Sequence, residues 1–540
     1  MARPRNEPRG DIALAGRVVT MDDKATVHNE GVVYVHGDSI AAVAERRAPA
    51  PDGFDGVERI DTGGTIYPGL IELHNHLSYN VLPLWDVPKQ FSNRDQWAQG
   101  DEYRKLVTGP MKVLAHTPHC VPAVVRYVEA KCLLGGTTTS QGLALSSYSG
   151  IMHFYRGIVR NVEQTADTAL PEAKTHIADV EATDRQKFLA RLQHSTCLLL
   201  HLSEGTDDRA RAHFLALHGL DHDWAITPAL AGIHCVALQA DDFRQLAEHG
   251  GAMIWSPLSN LLLYGATADV KHARDAKVLM GIGPDWSPSG SKNVLGELKV
   301  AKAMNDQLDS GLSDADLVAL ATRNAAEILK WEKKVGSVEE GKLADLLVVD
   351  GDSSDAYAPL FRASEKDISL VAIDGIGRFG TPELIEKLLP RGAVTEDIEI
   401  GGAKRLLNLA DPTSDPDVAR MSLSEAASTL ADAMKRLPQL AKDLDKQTVL
   451  GAIDAGATFL VLDHDDLPGE DQRPHMPDPQ GQLTAEVSLP ETVGTPLPDL
   501  LVPLELDPLT LADDGNFVDQ LGRQKNLPAQ LKTRLGSLFG

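Results

Sequence analysis

Short apolar runs recur along the chain at 70–76, 136–141, 197–201, 225–234, 252–255 and 278–283, and longer stretches with helical spacing separate them. An unbroken apolar run of roughly four to eight residues is the pattern of a strand buried on both faces. Strand alternating with helix predicts a parallel sheet covered by helices. This many units predicts an α/β chain built on a closed (β/α)8, TIM-like barrel, in which functional groups sit at the C-terminal ends of the strands. The flanks read differently. Residues 11–64 form short strand patterns, with an apolar piece at 12–21 and a hairpin over 31–44 turning at Gly37-Asp38. A further strand-like piece, 342–350, lies far downstream.

Beyond about residue 382 the pattern changes again. Ser422-Leu423-Ser424-Glu425 has the form of a capping box, and Leu423, Ala427, Leu430, Met434 and Leu437 follow helical spacing. From Pro468 to Pro508 the chain is rich in proline and acid, which predicts a flexible or irregularly draped segment. A last amphipathic helix is expected over 527–539, docked on the body or on a partner subunit. The boundaries that follow are 66–335 for the barrel, 381–460 for a helical extension and 461–540 for a proline-rich acidic tail, partly flexible.

Composition narrows the partners. The chain has 540 residues and a formal charge of −25, with 43% hydrophobic and 24% charged residues. That is a globular composition with two or three domains as its prior, and its acidity disfavours nucleic acid and anionic membrane as partners. Cys120, Cys132, Cys197 and Cys235 form no C-x-x-C pair and are too few for a disulfide framework, so reduced, buried thiols are expected. The residues after Met1 lack the apolar core of a signal peptide, and no stretch reaches the length of a membrane span. The expected compartment is the cytoplasm.

Four strand ends carry chemistry. The run 70–76 ends in His74-Asn75-His76, and a period of two puts both imidazoles on one face, half of a metal site. The run 197–201 delivers His201, with Glu204 three residues on. There a histidine can complete a metal shell while the carboxyl moves protons. Gly232-Ile233-His234-Cys235 follows, then Trp255-Ser256-Pro257-Leu258-Ser259-Asn260, and finally Gly281-Ile282-Gly283-Pro284-Asp285-Trp286, a strand ending in an aspartate.

The order Pro-Gly-x-x-x-x-His-x-His, His-x-x-Glu, His-Cys-x-x-Leu, Ser-Pro-x-Ser-Asn, Gly-x-Asp resembles the amidohydrolase superfamily, nearest its cytosine deaminase and chlorohydrolase-like branch (triazine and guanine aminohydrolases). Arg323-Asn324-Ala325-Ala326 and the stretch 336–345 resemble that family's ending, so the likeness covers roughly residues 10–380. It implies a barrel carrying a small β-sandwich built from both flanks, residues 1–65 and 336–380. It also implies a small-molecule substrate and a homo-oligomer, a dimer.

Carried over residue by residue, the resemblance makes His74, His76, His201 and Asp285 the ligands of one divalent metal, zinc first, with iron(II) or manganese as alternatives. His234 would orient the nucleophilic water and polarise the substrate, Asp285 would take that water's proton, and Glu204 would be the proton shuttle. Binuclear members bridge two metals with a carboxylated lysine, and Lys174 is the candidate for that position. Residues 77–99 lack what a guanine or adenosine deaminase usually carries there. Their Trp85, Arg94 and Trp97, with Tyr79 and Trp286, form either an aromatic, cationic wall for a planar or anionic substrate or simply the packing of the loop.

The expected activity is therefore metal-dependent hydrolysis of a non-peptide C–N bond, with deamination of a nitrogen heterocycle foremost. A cyclic amidase, an imidazolone-type or an acyl-amide hydrolase is the alternative within the same chemistry. A catalytically inactive barrel acting as a scaffold is the alternative of another class.

Overall fold

The computed structural model describes residues 10–98, 100–150, 152–176, 185–218, 223–351, 354–450, 457–462 and 495–539. Among the described residues, two parallel sheets form the centre. One contains β1 (Leu70–Ile71), β2 (Thr137–Ser140) and β3 (Arg160–Asn161). The other runs β4 (Lys174–His176), β5 (Leu198–Leu202), β6 (Leu230–His234), β7 (Ala252–Trp255) and β8 (Leu279–Ile282) in sequence order. Backbone hydrogen bonds cross between the sheets at both sides. Ala173 N–H donates to Val162 O at 2.8 Å, and Leu73 N–H donates to Ile282 O at 3.1 Å. Helices such as Val121–Leu134, Asp208–Leu215 and Ala240–Glu248 connect successive strands, and Val294–Leu308 follows β8.

The strands obey the period-two rule. Leu199, Ala231, Ile233, Ala252 and Ile254 pack together in one apolar cluster with Ile71 and Leu73. Leu198, Leu200 and Leu202 turn the other way, toward the larger cluster that includes helix residues such as Phe214 and Phe243. His201 shares the parity of Leu199 and so extends that strand's inward row. β5 and β6 are buried along their whole length, which explains the unbroken apolar runs.

The two flanks do meet, but as one continuous nine-stranded sheet among the described residues. Arg59–Pro68 pairs antiparallel with Leu346–Asp350, joining the N-terminal strands to the C-terminal ones. The sheet also runs past residue 380. Glu396–Ile400 and Ala403–Leu407 form a hairpin that pairs with Ile376–Gly380, so the region expected to be a helical extension begins with sheet. The turn is Gly401-Gly402, both with positive φ, a hairpin signal of the ordinary kind.

The capping box at Ser422/Glu425 is present, and the helix Leu423–Lys435 buries Leu423, Leu430 and Met434. Part of the stretch expected to be flexible, 463–494, lies outside the described residues. From 495 onward the chain is packed: Leu501, Leu511, Phe517, Leu521, Leu527, Leu531 and Leu535 are all buried. The final helix Ala529–Phe539 docks on the body, with Lys299 of Val294–Leu308 donating to Leu538 O at 3.3 Å. All four cysteines are buried thiols outside any disulfide. Among the described residues, no helix is long and apolar enough to cross a membrane.

Candidate active site

The C-terminal ends of β1, β5, β6 and β8 converge on one buried cluster. His74 and His76 point the same way with ring centres 4.9 Å apart, while Asn75 turns aside to donate to Glu72 Oε1 at 2.9 Å. The His201 ring lies 4.8 Å from His74 and stacks on His76 at 5.4 Å. The loop after β8 is stitched to the segment after β1. Asp285 N–H donates to His74 O at 3.1 Å, and His76 N–H donates to Asp285 O at 2.7 Å. Gly283 makes this approach possible, since a Cβ there would fall 2.5 Å from His74 O.

His234 departs from its strand's alternation. Its backbone takes a left-handed φ of 68°, as does that of Asp285 at 67°, a conformation that non-glycine residues adopt at a cost. The ring comes to 5.1 Å from His74 and 5.3 Å from His201. Its Nδ1–H donates to Asn260 Oδ1 at 2.9 Å, and the Asn260 amide nitrogen in turn donates to Thr267, so Nε2 is left facing the cluster.

Asp285 spends Oδ2 on Ser259, whose hydroxyl donates at 2.6 Å. Its Oδ1 lies 3.1 Å from His74 Nε2 and 3.4 Å from His76 Nε2. Burial alone would raise this carboxyl, but His74 above all, with His76 and His234, holds it below the usual carboxylate range. Burial pushes the His74 imidazole down to about 4 and His201 well below its ordinary value, so both are neutral near pH 7. Neither ring nitrogen of His74 has a partner in hydrogen-bonding geometry, although the residue is fully buried.

Buried imidazoles, one of them with both nitrogens unpartnered, beside an ionised carboxylate are the donor set of a divalent cation. The donor atoms of His74, His76 and His201 lie within 4.8 Å of one another, and so do those of His74, His234 and Asp285. The cluster fits a divalent metal. Lys174 is not brought to it: the side chain is exposed at the start of β4, where the residue pairs with Leu198, three positions ahead of His201.

Glu204 is buried at the rim, its Oε2 3.8 Å from His234 Nε2 and 3.8 Å from the Arg94 guanidinium. Its Oε1 accepts from the Tyr264 hydroxyl at 2.7 Å, and that hydroxyl accepts from Trp97 Nε1 at 2.8 Å. Trp286 stands 5.5 Å from the His76 ring, against Tyr79, Trp97 and Tyr103. Arg94, Trp97, Tyr79 and Trp286 thus gather at the cluster. Trp85 packs behind them on Phe91 and Tyr103. Tyr264 and Tyr103 escape sequence reasoning. Tyr264 lies four residues past Asn260, on the helix Pro257–Tyr264, and only the fold turns its hydroxyl to Glu204.

Behind the histidines, burial pushes the Glu72 carboxyl up to about 7, against hydrogen bonds from Ser140, Asn75 and Cys132. The unfolded chain loses this proton near 4.5 and the folded one near 7, so stability is full below the first value and is lost as pH rises through the second. Glu72→Gln is therefore expected to stabilise the fold at pH 8.5 by on the order of 2–3 kcal/mol, seen as a higher melting temperature, and to change little at pH 4.5. Calorimetry at the two pH values checks it.

Comparison with known proteins accords with this geometry. The Amidohydrolase family model matches residues 65–376. A 5-methylthioadenosine/S-adenosylhomocysteine deaminase of Thermoanaerobacter pseudethanolicus is 31% identical over 402 residues, 66% of this chain and 91% of that one. Among solved structures, an adenosine deaminase from Xanthomonas campestris with bound zinc superposes with a TM-score of 0.53 at 17% identity, covering 80% of this chain and 99% of the other. A guanine deaminase from Bradyrhizobium japonicum gives 0.52 at 19% identity, covering 68% and 99%. The matched region contains every residue of the buried cluster, and this chain belongs to the amidohydrolase family.

Proposed function

We propose that this chain is a mononuclear, zinc-dependent deaminase of an amino-substituted nitrogen heterocycle, with His74, His76, His201 and Asp285 holding the metal at the mouth of a closed (β/α)8 barrel. The observation that carries this is the convergence of these four side chains, with His234 and Glu204, in one buried cluster. The hydrogen bonds that link β3 to β4 and β8 to β1 support the closed barrel. The zinc-bearing structural relative supports zinc, and the deaminase relative supports the reaction.

When bound, a divalent ion supplies Lewis acidity and makes a water molecule acidic enough to lose a proton near neutral pH. The chain's own residues do the rest. Asp285, pinned by Ser259 and kept ionised, offers Oδ1 as acceptor for that proton. His234, fixed through Asn260, presents Nε2 to the oxygen and to the electrophilic carbon's substituent. Glu204 keeps Oε1 on Tyr264 and turns Oε2 inward, where it can carry a proton to a ring nitrogen and then to the departing amine. Water adds at carbon, the C–N bond breaks, and ammonia leaves with a carbonyl in its place. Trp97, Trp286 and Tyr79 offer aromatic faces to a planar ring, and Arg94 supplies a cation at the rim.

The test is ammonia release from 5'-methylthioadenosine, S-adenosylhomocysteine, adenosine and guanine by the zinc-loaded protein. Ammonia with about one equivalent of zinc supports the proposal. A new carboxylate without ammonia, on a panel of cyclic amides, would replace it with ring opening. Tyr264→Phe removes one hydrogen bond to the Glu204 carboxylate. It is expected to lower kcat about 10-fold with zinc content unchanged, as steady-state kinetics and elemental analysis would report.

A further inference from the structure

Behind the cluster lies a second buried set of charges that the chemistry does not use. Lys131, on the helix Val121–Leu134, and Lys292, in the loop after β8, both bind Asp507, which arrives from the C-terminal segment outside the matched family region. Their side chains are 1%, 1% and 3% exposed. Every polar group of Asp507 is engaged. Oδ1 accepts from Lys292 at 2.5 Å, Oδ2 accepts from Lys131, the N–H donates to Val81 O at 3.0 Å, and the carbonyl accepts from the Tyr127 hydroxyl at 2.6 Å. Lys292 also pairs with Asp514 at 2.8 Å, so two cations meet two anions.

The set reaches the active site through Lys131. Its other two donors go to Asn80 O at 2.9 Å and to Ser287 Oγ at 2.8 Å. The Asn80 side chain donates to Asn75 Oδ1 at 2.9 Å and accepts from Ser287 N–H at 2.8 Å. Asn75 stands between His74 and His76, and Ser287 is two residues past Asp285. One ammonium therefore ties together the segment after β1 and the loop after β8. Both its charge and its position depend on the Asp507 carboxylate. The same C-terminal segment grips the aromatic loop, where Gln524 donates to Trp85 O at 2.9 Å and accepts from Val87 N–H at 3.2 Å.

We propose that Asp507 is a positioning residue of the active site, holding Lys131 and Lys292 so that the loops bearing His74, His76 and Asp285 keep the spacing that binds metal. The C-terminal segment then completes the catalytic centre from outside the barrel. This rests on the reading of those residues as metal ligands.

The test compares full-length wild type with Asp507→Asn, Asp507→Glu and the double variant Asp507→Leu/Lys131→Met. The double variant removes one cation with one anion, leaves Lys292 with Asp514, and keeps the test open if Asp507→Asn does not fold. Amide exchange is followed in peptides covering 76–82 and 284–290, and zinc release into a chelator is timed. In Asp507→Asn both segments are expected to exchange at least about 10-fold faster, with the strand Leu346–Asp350 unchanged, and zinc to leave about 10- to 100-fold faster. The double variant should show the same local exchange, because methionine cannot donate to Asn80 and Ser287. Asp507→Glu should recover part of both effects. In the same variants kcat should fall while KM stays within about 3-fold. Exchange that is unchanged, or that rises evenly throughout the chain, would overturn the proposal. Wild type that binds no zinc would overturn the metal reading instead, and the exchange comparison would still decide the role of Asp507.

Discussion

Replacing His74 and His76 together by alanine is expected to eliminate zinc binding and to lower kcat/KM by at least about 1,000-fold, while the chain still folds. These residues are two of the three imidazoles proposed as ligands with Asp285, and the pair His201 and Asp285 alone cannot make a four-coordinate shell. Folding should survive because neither His74 nitrogen makes a hydrogen bond in good geometry, and the polar atom most affected is Asp285 Oδ1, 3.1 Å from His74 Nε2 and 3.4 Å from His76 Nε2. The loss is a cavity and a change at Asp285. That carboxyl is held down mainly by His74, and without it burial dominates and the group takes up a proton at a higher pH. Elemental analysis, circular dichroism and a thermal melt on wild type and variant check the result together. A variant that retains about one equivalent of zinc would refute the ligand assignment. Reduced helicity would mean that the histidines are structural.

The site is legible in the sequence wherever a strand's period of two delivers the side chain. His201 follows from alternation alone because it lies on the row of Leu199, and alternation also sets His74 and His76 on a common face, although not that of Ile71 and Leu73. Asp285 is legible as a strand end, but its reach toward His74 depends on a left-handed backbone and on Gly283, neither visible in a hydrophobic pattern. Tyr264 and Asp507 are not legible at all. One sits on a helix whose rotation only the barrel sets, and the other approaches from more than two hundred residues beyond Asp285, in a stretch whose prolines argue for irregular backbone. A short helix, Leu497–Leu500, starts on a proline there, and Leu501, Leu511 and the pairing of Asp507 with Lys131 hold the chain beyond it. The flanking sheet follows a similar rule. Its central pairing sets Tyr67 and Ile66 of Arg59–Pro68 against Leu347 and Val348 and accords with the joining of both flanks that the family resemblance implies, whereas its outer hairpin is polar on alternate positions and passes for loop.

Glu204→Gln should separate metal binding from proton transfer. The amide matches the carboxylate in size, its oxygen can still accept from Tyr264, and Glu204 is not one of the proposed metal ligands. Zinc content and thermal stability are therefore expected to stay at the wild-type level. What the amide cannot do is accept a proton and pass it on, so kcat should fall by about 100- to 10,000-fold with KM changed far less. Glu204→Asp draws the carboxyl back by one methylene, away from His234 at 3.8 Å and from Tyr264. It keeps the chemistry and loses the reach, and its kcat is expected to fall between wild type and Glu204→Gln. Steady-state kinetics of ammonia release order the three proteins. If the Gln variant keeps more than about a tenth of the wild-type kcat, protonation of the leaving group runs through another residue, and His234 is the one whose Nε2 already faces the site.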